Sequence, residues 1–275
     1  MIKFIAADLD GTLLDSEKRL PEGFFDLVRK MRSMGITFAA ASGRQYYGVE
    51  KLFGPVKDDM MFIAENGGIA FEKGRLVYSL PMPDSGVIEM VKEARSLYGR
   101  GVRILLSGEK CAYTADSDGE FLEKCRMYCA RLAALPDLSH FPEDDHIIKI
   151  AIFDKDAENL TYPFMKKFGD KYNVILSNTC WVDIVGKDVN KGAAVENLMK
   201  KLGVGYNEAM VFGDYLNDYE MMSRCRYSFA MANAHPELKK AANFIAPSND
   251  ENGVVREILR MIPELAERSP VSNLS

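Results

Sequence analysis

Cysteine is scarce and badly spaced for structural chemistry: five residues in 275, an odd number, with no C-x-x-C pair. That excludes a disulfide framework and a zinc ribbon. Cys125 and Cys129 would share a helix face and read as two small buried side chains. Positive charge is short as well, with 35 Lys and Arg against 40 Asp and Glu and a formal net charge of −5. No basic stripe exists to release counterions from a phosphate backbone, so nucleic acid is excluded as a partner. Long apolar runs are missing, so no segment reaches transmembrane length and no membrane partner is expected. The apolar run at 2–7 is far too short for a signal peptide. These absences fit a reducing cytoplasm. Internal repeats and low-complexity segments are also lacking.

What is present is ordinary for a globular protein able to build a core: 47% hydrophobic and 27% charged residues. At 275 residues the chain exceeds one average domain. Strand-like and helix-like patterns alternate over the first eighty residues. Residues 2–7 read as a buried parallel strand, and 21–34 as a helix with apolar positions at Phe24, Leu27, Val28 and Met31. Pro21 suits the first helical position and Gly35 the C-terminal cap. A strand at 36–41, a helix at 45–53, a strand at 60–64 and a hairpin turning at Lys73-Gly74 follow. The Pro-rich 80–84 stretch then breaks the pattern.

From 84 to 186 the order changes. Helices are expected at 84–98, 118–133 and 156–169, with strands near 102–107, 110–115, 147–153, 173–178 and 181–185. Adjacent strands flanked by helices suggest an α+β lobe. Alternation resumes with a helix at 191–202, a strand at 209–213, a helix at 217–224 and a strand at 227–231. The expected fold is therefore α/β: a doubly wound parallel-sheet core, 1–83 and 187–265, interrupted by an inserted α+β domain at 84–186. Residues 266–275 read as a disordered tail.

Three polar clusters fall directly after three of these strands. They are Asp8-Leu9-Asp10-Gly11-Thr12, Ser42-Gly43-Arg44, and Gly213-Asp214-Tyr215-Leu216-Asn217-Asp218. Ligands of open parallel sheets bind outside the carboxyl ends of the strands, so the clusters are expected to converge. Asn190-Lys191-Gly192 opens a helix, with Asn190 as N-cap, and brings an ammonium and unpaired N–H groups suited to a phosphate. A carboxylate nearing a phosphate dianion at about 3.5 Å is repelled by roughly 9 kcal/mol at an effective dielectric near 20. A bridging cation is needed. Asp8, Asp10 and Asp214 offer hard oxygen ligands without a closed cage, which suits Mg²⁺.

The chain resembles the haloacid dehalogenase superfamily of phosphatases, most closely the Cof-type branch with a large C2-type cap. The matching pieces are Asp8-Leu9-Asp10-Gly11-Thr12-Leu13-Leu14, Ser42-Gly43-Arg44, Asn66-Gly67-Gly68, Asn190-Lys191-Gly192 and Gly213-Asp214-x-x-Asn217-Asp218, in the family's order. The resemblance implies a Mg²⁺-dependent phosphomonoesterase acting on a small phosphorylated metabolite. Asp8 is then the nucleophile and Asp10 the general acid/base. Asp8, the backbone carbonyl of Asp10 and Asp214 hold the metal. Leu9 (through its N–H), Ser42, Gly43, Lys191 and Asn217 hold the phosphoryl group. Asp218 orients Lys191 or a metal-bound water, while Thr12, Arg44 and Asn66 are further candidates behind these residues or at the substrate.

Several features read more plainly. Arg44 could equally be a surface ion-pair partner, and the His140–His146 stretch is read as an acidic solvated loop. Trp181 is assigned to the core of the inserted domain. Tyr215 either narrows the site or packs outward. The alternatives are a phosphomutase, which returns the phosphoryl group to substrate, and a phosphosugar-binding sensor without turnover. Sugar phosphates, pyridoxal phosphate and phosphorylated flavin precursors all remain open as substrates, and so does the oligomeric state.

Overall fold

Five consecutive buried residues, Phe4–Asp8, form β1. A strand apolar along its whole length is one covered on both faces, as parallel strands between helix layers are. The computed structural model describes residues 1–266; the expected tail lies outside the described residues from 267 onward. After β1 come α1 (Phe24–Ser33), β2 (Thr37–Ala41), α2 (Tyr46–Leu52), β3 (Met61–Ala64), β4 (Ile69–Glu72) and β5 (Arg75–Ser79). Next are α3 (Asp84–Arg95), β6 (Arg103–Gly108), β7 (Ala112–Thr114), α4 (Gly119–Tyr128), β8 (Leu132–Ala134), β9 (Ile147–Phe153), α5 (Thr161–Met165), β10 (Tyr172–Asn178) and β11 (Trp181–Gly186). The chain ends with α6 (Lys191–Leu202), β12 (Ala209–Gly213), α7 (Tyr219–Met222), β13 (Tyr227–Met231), α8 (Pro236–Ala241), β14 (Phe244–Ala246) and α9 (Gly253–Met261).

These elements fall into two compact units, Met1–Tyr78 with the chain from Asn190 on, and Ser79–Val189. The first is built on an eight-stranded sheet in the order β14-β13-β12-β1-β2-β3-β4-β5. Its centre is parallel: β1 pairs with β2 on one side and with β12 on the other. That is the switch point of a doubly wound sheet, where strand order reverses and a crevice opens at the carboxyl ends. α1 covers the sheet through Phe24, Leu27, Val28 and Met31, all buried. It starts at Phe24 rather than at Pro21, because Gly23 turns the chain at a φ of 72° and only then does helical backbone begin. At the other end Gly35 takes a φ of 76°, the left-handed conformation that closes a helix. Lys73 and Gly74, both at positive φ, make the hairpin turn between β4 and β5.

The second unit carries a six-stranded sheet in the order β10-β11-β9-β6-β7-β8. Its main cluster gathers Val87, Met90 and Val91 of α3 with Ile104, Ile150, Ile152 and Ile184 of the sheet. A smaller cluster joins Trp181 to Phe121, Phe153, Cys125 and Cys129, and none of the five cysteines forms a disulfide. The helix expected over 118–133 stops at Tyr128, and Leu132–Ala134 instead pairs in parallel with β7. Leu and Ala favour helix locally, but a free sheet edge offers hydrogen bonds that outweigh a weak propensity. The helix expected from 156 begins at Thr161. The Asp154 carboxylate accepts from the Asp156 N–H and the Thr161 hydroxyl, which holds the intervening residues as a turn. Within the His140–His146 stretch Asp145 alone among the acids is buried. It accepts from the Lys110 and Cys111 N–H groups and the Tyr113 hydroxyl, so it pins the turn between β6 and β7.

Candidate active site

Each motif leaves the sheet at a carboxyl end of the first unit. Asp8 closes β1, Ser42 follows β2, Asn66 follows β3 and Asp214 follows β12. Lys191 enters from the first turn of α6. There the Asn190 side chain accepts from the Ala193 N–H and so caps the helix as expected. The Lys191 side chain is fully buried, and its ammonium donates to Asp8 Oδ1 at 2.5 Å and to Asp218 Oδ1 at 2.7 Å. Asp218 Oδ2 accepts from the Asp214 and Tyr215 N–H groups. One carboxylate therefore ties the lysine to the loop after β12.

Glycine is required here by close approach. A Cβ on Gly213 would sit 2.6 Å from Asp218 Oδ2. Gly11 is at a φ of 83°, and a Cβ there would strike the Asp214 carboxylate. On the facing side of Asp214, Thr12 donates its hydroxyl to Oδ1 at 3.0 Å. Gly43 lies against Asn66, whose Oδ1 accepts from Asn217 Nδ2 at 3.1 Å. Asn66 itself is in the left-handed region, with a φ of 55°. Three motifs from distant parts of the chain thus meet at one point.

Oxygens of Asp8, Asp214 and Asp218 lie within 4.8 Å of one another, the one such metal-capable group among the described residues. Three carboxylates face one ammonium. Burial above all, then Asp218 and Asp214, push Asp8 up to about 8 from 3.8, although Lys191 pulls it down. Asp214 is raised as well, by burial first and by Asp218 next. For Lys191, burial works against the charged form, but Asp218 and Asp8 outweigh it and hold the ammonium above its ordinary range. Such a donor set, hard oxygens with negative charge in excess, fits a divalent cation. Both oxygens of Asp218 already have protein donors, so Asp8 and Asp214 are the carboxylates left to a metal.

Asp10 turns elsewhere. Its Oδ1 accepts from Arg44 Nη2 at 2.5 Å and from Lys18 Nζ at 2.8 Å. Burial raises Asp10, but the Lys18 hydrogen bond and the Arg44 guanidinium together hold it below the ordinary carboxylate range. Ser42 is buried and its hydroxyl accepts from the Arg44 N–H. Leu9 is wholly buried behind the loop. Tyr215 packs outward, 58% exposed, with its ring edge-on to His235.

Sequence reasoning missed Lys18 and the residues that fasten its loop. Asp250 accepts from the Ser16 N–H and hydroxyl, Asn249 donates to the Leu14 carbonyl, and Asn233 donates to the Gly11 carbonyl. Nothing local marks them, since a lysine in a polar turn and Asn or Asp near the chain's end look like solvated surface.

The raised carboxyls make stability depend on pH. Asp8 binds its proton more tightly folded than unfolded, so its favourable contribution is complete below 3.8 and is lost as pH climbs to about 8. Asp214 acts in the same sense, whereas Asp10, held low, contributes only to losses below the ordinary carboxylate range. In chelator the melting temperature is therefore expected to fall between pH 5 and pH 8, and Mg²⁺ should restore it most at pH 8. A flat profile in calorimetry would contradict this charge balance.

With a doubly wound sheet, an inserted α+β unit and these motifs in place, the class is defined. The chain belongs to the haloacid dehalogenase-like hydrolase family, whose sequence profile it matches over residues 5–258. It is 29% identical over 263 residues to the 5-amino-6-(5-phospho-D-ribitylamino)uracil phosphatase YbjI of Escherichia coli, covering 95% of this chain and 96% of that one. Among solved structures, SMU.1108c from Streptococcus mutans superposes with a TM-score of 0.81 at 27% identity, covering 96% of this chain and all of the other. The subclass IIB sugar phosphatase BT4131 shares the fold, with a TM-score of 0.72 at 19% identity over 94% of this chain and 98% of that one. The protein is thus an enzyme of the phosphatase class. No helix among the described residues is long and apolar enough to cross a membrane.

Proposed function

We propose that the protein is a Mg²⁺-dependent phosphomonoesterase that hydrolyses a small phosphorylated metabolite through an aspartyl-phosphate on Asp8. The observation that carries the reading is the buried Lys191 ammonium on Asp8 Oδ1, with Asp214 alongside and the Asp10 carboxyl two residues further on. Asp8 lies at the end of a rigid central strand, and its attacking oxygen is held by a lysine that is itself fixed by Asp218. A carboxylate nucleophile divides hydrolysis into two easier steps.

In the first step a carboxylate oxygen of Asp8 bonds to phosphorus while the bond to the leaving oxygen breaks, and Asp10, held low by Lys18 and Arg44 in the free protein but raised by the negative charge of a bound phosphate, gives its proton to that oxygen. In the second, Asp10 takes a proton from water as the water attacks phosphorus, and Asp8 is released with inorganic phosphate. Lys191, Ser42, Gly43, Asn217 and the Leu9 N–H are the groups available to hold the phosphoryl oxygens. Asp8, the carbonyl of Asp10 and Asp214 would hold Mg²⁺, which supplies charge neutralisation when bound. The inserted unit is assigned the role of a cap that excludes water and selects the leaving group.

The substrate class is a phosphorylated sugar, polyol or related metabolite. The named substrate of the E. coli relative, a phosphorylated ribitylaminouracil, belongs first on the panel. The test is phosphate release by the purified protein from a phosphometabolite panel. Activity should vanish in chelator, return with Mg²⁺ and be suppressed by excess Ca²⁺, whose larger and looser coordination misaligns the attacking oxygen. Full activity after exhaustive chelation would overturn the reading, and an isomeric sugar phosphate in place of inorganic phosphate would make the protein a mutase.

A further inference from the structure

We infer that Lys18 is a positioning residue for proton transfer: it anchors the Asp10 carboxyl by Oδ1, leaving Oδ2 to carry the proton delivered to the leaving group. The inference rests on the reading of Asp10 as acid and base. Lys18 and the turn that carries it lie outside the motifs that led to that reading.

Lys18 Nζ bonds Asp10 Oδ1 at 2.8 Å, and Arg44 reaches the same oxygen from the loop after β2. Two cations on one oxygen restrain the carboxyl's rotation from two sides. Proton transfer needs this, because a carboxyl on a loop otherwise samples several orientations and few of them face the leaving oxygen. The ion pair adds little to stability, with the side chains of Lys18 and Asp10 59% and 37% exposed. Its backbone is held at a cost, because Lys18 has a φ of 64°, a conformation that suits glycine or asparagine far better than lysine.

The turn that imposes this conformation is well fastened. Asp15 Oδ1 accepts from the Glu17 and Arg19 N–H groups, and Oδ2 accepts from Arg19 Nε. The Lys18 N–H donates to the Asp15 carbonyl and the Asp15 N–H to that of Arg19. Asp250 then ties Ser16 by two bonds of 2.8 Å, securing the turn to the C-terminal part of the same unit. A strained residue held by so many contacts, with its charged end on a reacting group, is the pattern of strain kept for function.

During transfer, the bond from phosphorus to the leaving oxygen breaks as Asp8 bonds phosphorus. The electron pair stays on the leaving oxygen and takes the proton from Asp10 Oδ2, giving an alcohol and an Asp10 carboxylate. Oδ1 keeps its two cations throughout. A poor leaving group needs this proton and a good one does not.

The experiment compares kcat/KM for phenyl phosphate and p-nitrophenyl phosphate in the wild type, Lys18→Met, Lys18→Arg, Asp10→Asn and the Lys18→Met/Asp10→Asn double variant. Lys18→Met should lower kcat/KM for phenyl phosphate by about tenfold or more and that for p-nitrophenyl phosphate by less than about threefold. Lys18→Arg should recover most of the loss, and the melting temperature should hardly move. In the Asp10→Asn background, Lys18→Met should add nothing, since it acts through that carboxyl. Equal losses on the two esters, or no loss on either, would overturn the role of Lys18. If Asp10→Asn also fails to discriminate between the esters, the acid/base reading of Asp10 falls first.

Discussion

Asp8→Asn is expected to lower kcat/KM for any phosphate ester by about four orders of magnitude or more, with no accumulation of phosphoenzyme. The amide has nearly the shape of the carboxyl but no nucleophilic oxygen of comparable strength, and it removes one of the carboxylates left to the metal. The same variant should gain stability. Wild-type Asp8 is driven up to about 8 by burial and by its acidic neighbours. In chelator at pH 8 the neutral amide escapes that repulsion, so the variant should melt above the wild type. The advantage should shrink toward pH 5, where the wild-type carboxyl carries its proton. Steady-state turnover above contaminant background would remove Asp8 from its role. A melting temperature lower than the wild type's under those conditions would show that Lys191 outweighs the repulsion.

Lys191→Met is expected to be the most damaging single change to the fold and to activity together. The ammonium bridges Asp8 and Asp218, both buried. Methionine fills similar volume but leaves two carboxylates facing each other, and breaking a buried pair in this way costs about 3–5 kcal/mol. The lysine's contribution is present throughout the physiological range, because its ammonium is held above 10.5 and is lost only at more alkaline pH. The pH dependence of the variant should come from Asp8 instead, the loss being smaller at pH 5 than at pH 8. Urea titration at the two pH values measures this, and a loss below about 1 kcal/mol at pH 8 would contradict the charge balance. Phosphate release should fall with it, since both the orientation of Asp8 and a phosphoryl contact are removed.

The alternation of apolar runs and helical spacings was enough to read the doubly wound core, because a strand buried on both faces must be apolar throughout and a covering helix must repeat near 3.6 residues. Lys191–Leu202 and Ala209–Gly213 stand where their patterns put them, and the strand expected at 2–7 is found slightly later, at Phe4–Asp8. The polar clusters were legible for the same reason: each breaks an apolar strand at its carboxyl end, and parallel strands bring those ends together. The glycines beside them are required by contacts between segments far apart in sequence, as Gly11 is by Asp214.

Elements whose partners are distant were decided by tertiary structure. Leu132–Ala134 is a strand only because the edge of β7 is there to receive it. Asp218 was left between two roles by sequence, and only the fold shows both its oxygens taken, by Lys191 on one side and the loop after β12 on the other. Lys18 carries no local signal at all. Its ammonium meets Asp10 because Asp15 bends the turn and Asp250, more than two hundred residues away, ties it down. Local pattern encodes burial and periodicity, which each segment must satisfy on its own. Which charge faces which depends on where separate segments come to rest, and no single segment records that.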